Sequence, residues 1–326
     1  MNFTPSYKKI SSDEFDARIK TTYSFLENCT VCPRNCKVDR TLHPSGFCNS
    51  GLNPIVSSYT PHFGEEPVLS GTHGAGNIFF GNCNLRCVFC QNYEISQNWK
   101  EECKNEISCE KQSSIMLELQ NKNCHNIGLV SPTHFAPQIL KSIYLASKNG
   151  LNLPIIYNSN GYDSVETLKL FKDVIDIYLP DFKYGNDIYA KEYSFAPDYF
   201  EITKAAIKEM FNQVGDELIY EGNIVVRGLI IRHLVLPNEL AESEKIFKFI
   251  AEELSPKIHI SLMSQYFPTN KANKYILINR KIRNSEYDKV IRLLEKYGLE
   301  NGWIQEMDSA ENYLPNFQNR VNPFGN

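Results

Sequence analysis

The sequence predicts an α/β fold in which six strand–helix units form a partial (β/α)6 barrel of the TIM type. From about residue 76 onwards, short apolar runs alternate with helical patterns. Strand runs that are apolar throughout are typical of strands buried on both faces of a parallel sheet. Strand–helix units in series favour an open or partial barrel over a two-layer antiparallel fold. A doubly wound open sheet is the alternative.

Each element of this fold follows from the same alternation. The strands are predicted at residues 77–81, 127–131, 154–158, 174–179, 228–236 and 259–265. The helices are predicted at residues 113–122, 137–149, 165–171, 199–214, 241–254 and 286–297. Residues 1–70 are irregular and rich in Cys, Pro and Ser, which predicts an N-terminal cysteine-rich extension. The barrel would then span residues 71–300, and a C-terminal tail, 301–326, would pack on it.

The composition excludes several classes of protein. In a chain of 326 residues, 42% apolar and 12% aromatic residues are ample for a large core. The net charge of -4 leaves no basic footprint for nucleic acid. No apolar run is long enough to predict a transmembrane helix, and the first residues lack a signal-peptide pattern. We therefore expect a cytoplasmic protein whose ten cysteines are metal ligands or free thiols rather than disulfides.

Three cysteines directly follow the first predicted strand. Cys83, Cys87 and Cys90 have the spacing C-x3-C-x2-C. Three thiolates in so short a run can hold three irons of a cubane cluster and leave the fourth iron without a protein ligand, whereas four cysteines close such a cluster. An iron with an open position can bind and activate a small molecule, so the spacing predicts chemistry. Buried thiols or a zinc site are the alternatives, although zinc needs a fourth ligand.

Polar residues also follow or end the other predicted strands. The active site of a barrel lies at the carboxyl ends of its strands. The candidates are Ser131, Thr133 and His134 after the second strand, Asn158, Ser159 and Asn160 at the third, Asp181 and Lys183 after the fourth, Arg232 within the fifth, and Gln265 at the end of the sixth. Their coincidence at one end of the barrel predicts a ligand there.

Four further cysteines lie within the N-terminal extension. Cys29, Cys32, Cys36 and Cys48 have the spacing C-x2-C-x3-C-x11-C. Four such ligands could close around one zinc ion or a second iron–sulfur cluster. Free thiols are the alternative.

The segment GNCNLRCVFCQNYEISQ (81–97), with its C-x3-C-x-aromatic-C pattern after a first barrel strand, resembles the radical S-adenosylmethionine (SAM) superfamily. Residues from about 76 to 270 further resemble pyruvate formate-lyase activating enzymes, within the related branch that carries N-terminal cysteines. The other segments that carry this resemblance are CPRNC (32–36), SPTHFAP (131–137), YNSNGYDS (157–164), IYLPDFKY (177–184), IIRHLVLP (230–237) and SLMSQYFP (261–268).

The resemblance implies an activity and its cofactors. Cys83, Cys87 and Cys90 would ligate a [4Fe-4S] cluster, SAM would chelate the open iron, and Phe89 would lie beside the adenine. Reductive cleavage of SAM would give a 5′-deoxyadenosyl radical that abstracts hydrogen from a substrate, with a glycine of a glycyl-radical enzyme as the first candidate. Flavodoxin or ferredoxin would supply the electron. Radical modification of a peptide or small molecule, or a non-catalytic iron–sulfur electron carrier, are the alternatives.

The candidate SAM-binding residues depart in part from the pattern of the family. Residues 131–134 stand where relatives have Gly-Gly-Glu, so the carboxylate that receives the SAM ammonium is missing, and Thr133 and His134 would be its polar substitutes. Asn158 replaces an acid, which weakens the case for a monovalent cation near SAM. An N-cap is the structural alternative for the first segment, and a turn is the alternative for Asn160 and the glycine after it.

Two charged features inside apolar strands require partners. Asp181 and Lys183 match an Asp-x-Lys pattern and would point the same way, into the barrel, where burial is costly unless they are paired or bind a ligand. Arg232 would pair with Asp181 or with the SAM carboxylate, since guanidinium suits bidentate recognition of carboxylates.

Overall fold

Within the residues that the computed structural model describes, 3–307, 315–321 and 323–325, nine strands form one sheet. The strands are Val56–His62 (β1), Ala75–Phe80 (β2), Ile127–Val130 (β3), Ile155–Ser159 (β4), Ile177–Pro180 (β5), Ile219–Glu221 (β6), Ile224–Leu234 (β7), His259–Met263 (β8) and Gly302–Ile304 (β9). Their spatial order is β1-β2-β3-β4-β5-β7-β8-β9, and β6 pairs with β7 outside this path.

The helices connect these strands and cover the sheet. They are Ser12–Ser24 (α1), Pro67–Ser70 (α2), Tyr93–Ser96 (α3), Trp99–Glu102 (α4), Cys109–Asn121 (α5), Ala136–Lys148 (α6), Val165–Leu170 (α7), Asp187–Ser194 (α8), Tyr199–Val214 (α9), Ser243–Phe249 (α10) and Asn284–Lys296 (α11). A π-helical stretch, Ile250–Leu254, continues α10. No helix in the described part of the chain is long and apolar enough to cross a membrane.

The predicted order of six strand–helix units is confirmed. The six predicted strands are β2, β3, β4, β5, β7 and β8, which pair in parallel with their neighbours in this order. Two antiparallel pairs, β1 with β2 and β6 with β7, were not predicted. Every residue of β2 is buried, as expected for a strand covered on both faces.

The sheet is curved, since residues of β2, β3, β4, β7, β8 and β9 line one cavity at the carboxyl ends of the parallel strands. Phe79 of β2, Asn158 of β4, Arg232 of β7, Met263 of β8 and Ile304 of β9 all belong to its wall. An open, doubly wound sheet would not bring strands from both edges to the same cavity. The fold is therefore a partial barrel, as predicted.

The amino-terminal residues close the opposite end of the barrel. Asp176, just before β5, accepts hydrogen bonds from the backbone N–H of Ser6 at 2.9 Å and of Ile155 at 3.1 Å. The Tyr7 hydroxyl donates to the carbonyl of Leu153 at 3.0 Å. These contacts leave the carboxyl ends of the strands as the accessible face of the barrel.

The segments that flank the predicted barrel differ in regularity. Residues 25–55, all of which are described, contain neither helix nor strand, yet Leu26 and Val31 belong to the same hydrophobic core as the barrel strands. At the other end, β9 pairs in parallel with β8, and Phe317 packs against Phe79. Of the predicted C-terminal tail, residues 308–314, 322 and 326 lie outside the described residues.

Candidate active site

A cavity of about 450 Å³ lies at the carboxyl ends of the parallel strands. The sequence-predicted residues that line it are Cys83, Cys87, Phe89, Cys90, Ser131, Asn158, Ser159, Asn160, Asp181, Lys183, Arg232 and Gln265. A cavity of this size can hold one cofactor-sized molecule. The structure thus brings together residues that are up to 182 positions apart, from Cys83 to Gln265.

The three cysteine sulfurs of this cavity, here called the triad, are surrounded by hydrogen-bond donors. The backbone N–H of Leu85 donates to Cys83 Sγ at 3.3 Å, and the Ser194 hydroxyl donates to Cys87 Sγ at 3.0 Å. Asn160 Nδ2 lies 3.5 Å from Cys83 Sγ. Donors aimed at sulfur stabilise the negative charge of metal-bound thiolates, so the triad fits an anionic iron–sulfur cluster.

Burial disfavours the thiolate form of the triad cysteines by raising the pKa of each thiol. It raises the pKa of Cys83 to about 12 and that of Cys90 to about 11. Burial also raises the pKa of Cys87, an effect that the nearby Lys183 ammonium opposes. Because only the thiolate is a ligand, loading a cluster here must release these protons.

The arrangement of the triad is not that of a single-ion site. Among the residues that the structure describes, no group of three or more His, Cys, Asp or Glu side chains is placed to hold one metal ion. Tetrahedral zinc with Zn–S bonds of about 2.3 Å would draw its sulfurs to within about 4 Å of each other. A cubane carries each cysteine on a different iron and spreads the sulfurs further apart.

A charged pair, Asp181 and Lys183, forms part of the cavity wall. Their side chains make a salt bridge and are 20% and 14% exposed. Burial disfavours the ammonium, but the Asp181 carboxylate outweighs it and raises the pKa of Lys183 above its ordinary value. The Tyr199 hydroxyl donates to the carbonyl of Asn160 at 2.9 Å and accepts from the Lys183 N–H at 3.0 Å, so it fixes this segment against the end of β4.

Gly161 allows that close approach. Its φ is +78°, and a Cβ atom there would come within 2.3 Å of the Asp181 carbonyl oxygen. Any larger residue would push the end of β4 away from the segment after β5.

Arg232 has partners that were not predicted. Its guanidinium binds Glu66 in a bidentate manner, at 2.8 and 2.6 Å, and also pairs with Glu65. Asp181 instead pairs with Lys183, so the expected salt bridge between Arg232 and Asp181 is not formed. Although burial opposes it, the Arg232 charge lowers the pKa of Glu65 to about 2. The two glutamates precede α2, and no local pattern in the sequence links them to a residue so far along the chain.

Thr133 and His134 do not line the cavity. Ser131 has a left-handed backbone, φ +59°, and the chain after it turns away from the cavity. Thr133 Oγ1 donates to Asp163 at 2.7 Å, and His134 Nε2 lies 2.9 Å from the carbonyl of Gly81. Their side chains therefore make structural contacts, and the structure does not bring them to the residues that were predicted with them.

Asp163 is a buried hub that sequence reasoning missed. Besides Thr133, it accepts hydrogen bonds from the Ser159 hydroxyl at 2.6 Å and from Tyr157 at 3.1 Å. It therefore joins the ends of β3 and β4. Ser164, the residue after it, caps α7, so the sequence signal at this point was that of a helix start.

Phe89 and Gln265 connect the triad loop to the end of β8. The Phe89 ring meets the Tyr266 ring edge-on, with centroids 5.4 Å apart. The Gln265 carbonyl accepts from Gln91 Nε2 at 2.8 Å. The loop that carries the cysteines is thus held against the end of β8.

The four upstream cysteines lie outside this cavity. Cys29, Cys32 and Cys48 are buried, and Cys36 is partly exposed. The predicted zinc site or second cluster is therefore separate from the triad cavity.

The chain is similar to several known proteins. Residues 77–250 match the family model of the Radical SAM superfamily. Uncharacterized protein MJ0674 of Methanocaldococcus jannaschii is 34% identical over 87% of this chain and 79% of its own length. Uncharacterized protein MJ0808 of the same organism is 26% identical over 50% of this chain and 51% of its own. A solved structure of TYW1 with a lysine-pyruvate adduct bound has a TM-score of 0.42 and 13% identity, covering 72% of this chain and 78% of that one.

Proposed function

The chain belongs to the radical SAM superfamily, and from this membership we propose that it is an activating-enzyme-like member that removes a hydrogen atom from a glycine of a glycyl-radical enzyme. Members of the superfamily are enzymes that carry out SAM-dependent radical chemistry at a [4Fe-4S] cluster. The observation that supports this proposal is the single cavity in which the triad meets polar residues from the successive strand ends.

The triad would hold the cluster. When bound, a [4Fe-4S] cluster with SAM at its open iron supplies a one-electron cleavage of the sulfonium and a carbon radical that takes hydrogen from the substrate. The chain itself positions these groups. Ser194 and the N–H of Leu85 donate to triad sulfurs, and they would favour the reduced, more negative state of a cluster.

The charged groups of the cavity suit the amino acid part of SAM. Lys183 is a cation beside the cysteines that could receive a carboxylate, and Asp181 holds it in place. Glu65 and Glu66 outnumber Arg232, so this part of the wall has an excess of negative charge. We propose that these glutamates replace the carboxylate missing after β3 and attract the SAM ammonium.

The test of this function is an anaerobic assay for 5′-deoxyadenosine. Reduced protein incubated with SAM should release it, and Cys87→Ala should abolish the release because one iron loses its ligand. Cys103→Ala is the matched control, since Cys103 is exposed and lies outside the cavity. A non-catalytic electron carrier would release no deoxyadenosine, and persistent activity in Cys87→Ala would refute the assignment of the triad.

The substrate requires a second experiment. When the substrate is deuterated at one carbon, deoxyadenosine acquires deuterium only if that carbon is the one that loses hydrogen. Label from glycine of a candidate glycyl-radical protein would support the activating-enzyme proposal. Its absence, with label from another peptide position or a small molecule, would replace it.

A small-molecule or flexible peptide substrate is the second candidate, and one observation favours it. Phe324, from the C-terminal residues, is part of the cavity wall together with His62 and Phe79, and its ring lies 4.1 Å from that of His62. The chain's own terminal segment thus lies at the cavity, where a folded protein substrate would have to approach.

Two further parts of the proposal concern the electron source and the upstream cysteines. We propose flavodoxin or ferredoxin as the one-electron donor. We also propose that Cys29, Cys32, Cys36 and Cys48, here called the quartet, bind a metal group. A purified donor that raises the rate of deoxyadenosine release would support the first proposal, and metal analysis addresses the second.

A further inference from the structure

Residues 270–283, here called the basic strip, form a cationic segment after β8 that contains neither α-helix nor strand. The strip holds five of the 34 Lys and Arg residues of the chain, and none of the 38 Asp and Glu residues lies between Glu253 and Glu286. The rest of the chain is therefore more negative than the net charge of -4 indicates. A compact positive region on a negative protein attracts and orients an acidic partner.

Most cations of the strip are available to a partner. Lys271, Lys274 and Arg283 are exposed, and within the described residues no carboxylate forms a salt bridge with them. Arg280 is different, because it pairs with Glu286 at 2.6 Å. The strip therefore presents positive charge that no described carboxylate neutralises.

Two exposed aliphatic side chains lie in the middle of the strip. Ile276 is 91% exposed and Leu277 is 45% exposed. The residues on either side of them anchor the strip, since the Tyr275 ring meets the Tyr193 ring edge-on at 5.6 Å and Ile278 is buried. Exposed aliphatic residues scattered singly are common, but two adjacent ones bordered by unpaired cations resemble the apolar centre and polar rim of a protein interface.

The strip is bonded directly to the triad loop. The backbone N–H of Lys271 donates to the carbonyl of Val88 at 2.8 Å, and Asn270 Nδ2 donates to the carbonyl of Cys87 at 3.2 Å. Tyr193, whose ring the strip contacts, accepts the Val88 N–H at 2.8 Å. The buried backbone of a triad cysteine is thus one hydrogen bond away from an exposed segment.

A second cavity, of about 560 Å³, is lined by residues 270–271 of the strip and by residues of α3 and α4. Gln97, also in its wall, donates through Nε2 to the carbonyl of Cys87 at 2.9 Å. Its acidic residues Glu94 and Glu101 already accept from a backbone N–H and from a lysine. The cavity therefore offers a projecting part of a partner protein a position beside the triad loop.

None of residues 270–283 lines the cavity of the triad. A partner on the strip would lie beside a cluster bound by the triad without entering that cavity, as an electron donor can, whereas a substrate must reach into it. Because electron transfer weakens steeply with distance, a donor must dock where the triad loop is close to the surface. We propose that the basic strip is the docking surface of an acidic one-electron carrier protein. This inference rests on the proposed function, which requires such a donor.

The decisive experiment measures the affinity of the cluster-loaded protein for an acidic flavodoxin by titration calorimetry without oxygen. Lys271→Glu with Lys274→Glu should raise the dissociation constant about 10-fold or more at low salt, and less at high salt because salt screens exposed charges. Lys8→Glu with Lys9→Glu is the matched control, since these exposed lysines lie at the opposite end of the barrel, and it should bind like wild type. Equal losses in both double variants, or none in either, would overturn the proposal.

The exposed aliphatic residue provides a second variant that should not disturb folding. Ile276→Ser should weaken binding several-fold at both salt concentrations, because it removes apolar contact rather than charge. The same titrations with an acidic ferredoxin test the other class of carrier. If wild type binds neither carrier, or if the strip variants lose affinity for a substrate protein and not for a carrier, the proposal is wrong.

Deoxyadenosine release separates this inference from the proposed function. With the carrier as electron source, the double lysine variant should release deoxyadenosine more slowly than wild type. With dithionite, a small reductant that needs no docking surface, the two rates should be equal. Equal losses with both reductants would show damage to the triad loop and overturn the docking role. Wild type that binds the carrier but releases no deoxyadenosine with either reductant would instead refute the proposed function and leave this surface standing.

Discussion

The cavity and the quartet each contain a buried arginine, and the two arginines are balanced in opposite ways. Arg232 at the cavity is paired with two carboxylates, Glu65 and Glu66. Arg40 at the quartet meets backbone carbonyls and thiols. Because burying an unpaired cation is costly, the second arginine indicates where negative charge must be added, whereas the first indicates a wall that is already negative.

The triad and the quartet also differ in their access to the cavity. Three cysteines face a cavity that can admit a cofactor, and polar residues surround the rest of it. The four cysteines of the quartet line no part of that cavity, and as a proposed metal site they would complete a ligand set by themselves. The number of cysteines and their access to a cavity therefore indicate which group would serve catalysis and which would only support the fold.

The largest expected effect tests that division directly. Cys90→Ala should abolish deoxyadenosine release, because the triad has no spare ligand. Cys36→Ala should lower it by no more than about 10- to 100-fold, the usual effect of disturbing groups that only support a metal site. Both rates are measured at equal triad iron content. Complete loss in Cys36→Ala at full triad occupancy would show that the quartet also takes part in the reaction.

The second prediction concerns the cavity arginine. Arg232→Met should lower the free energy of unfolding by about 4 kcal/mol, because it leaves two buried carboxylates uncompensated. Urea unfolding of the variant measures this loss. The matched control adds Glu65→Gln and Glu66→Gln, which removes the uncompensated charge and should recover most of the stability. A single variant as stable as wild type would contradict the structural importance of the pair.

The third prediction concerns Arg40 at the quartet. If the quartet binds a metal through thiolates, Arg40→Met should reduce the metal that the quartet retains, because the thiolates lose a buried cation. In either case the variant should be less stable, by about 1–3 kcal/mol, because the carbonyls of Ser50, Gly51 and His134 lose their donor. Metal analysis of the anaerobically purified variant is therefore the measurement, and an unchanged metal content would argue against thiolates balanced by Arg40.

The smallest expected effect is a change in the pH dependence of stability. It comes from a buried histidine behind the cavity wall. His233 is buried between the carbonyl of Phe182 and the Ser243 hydroxyl, at 2.7 and 2.8 Å. Burial, with a smaller effect from Lys183, lowers its pKa from 6.5 to about 4. Below pH 6.5 the unfolded chain binds a proton that the folded chain binds only near pH 4, so stability is lost as the pH falls through this range.

This loss should be about 2 kcal/mol between pH 7 and pH 5 for His233 alone. Urea unfolding at both values should show that His233→Gln has that much less pH dependence than wild type. His43→Gln, at an exposed position, is the control and should behave like wild type. An unchanged pH dependence in His233→Gln would mean that folding does not lower the pKa of His233.

The barrel could be predicted because each of its parallel strands is apparent from the residue pattern of its own segment. Every residue of β2 is buried, and each of the six predicted strands is followed by a helical pattern. By contrast, β1 has the sequence Val-Ser-Ser-Tyr-Thr-Pro-His, and its serines and proline are not typical of a strand. The sequence therefore gives no sign of this edge strand, which pairs with β2. Only the tertiary pairing reveals it.

The site was predictable where a motif and a strand end coincide, and not where contacts span the chain. Asp181 and Lys183 follow β5 and line the cavity as expected. Thr133 was placed in the cavity by its motif, but the left-handed turn at Ser131 directs it to Asp163. Glu66 and Arg232 are 166 residues apart, so no local pattern could have linked them.

The burial of the quartet has a consequence for how the protein is made. Cys29, Cys32 and Cys48 are at most 8% exposed and only Cys36 is partly exposed, whereas the triad opens onto a cavity. A metal group bound by the quartet would therefore be inserted more readily before residues 25–55 pack than into the folded chain. Metal supplied during expression should then fill the quartet more completely than reconstitution of the folded protein.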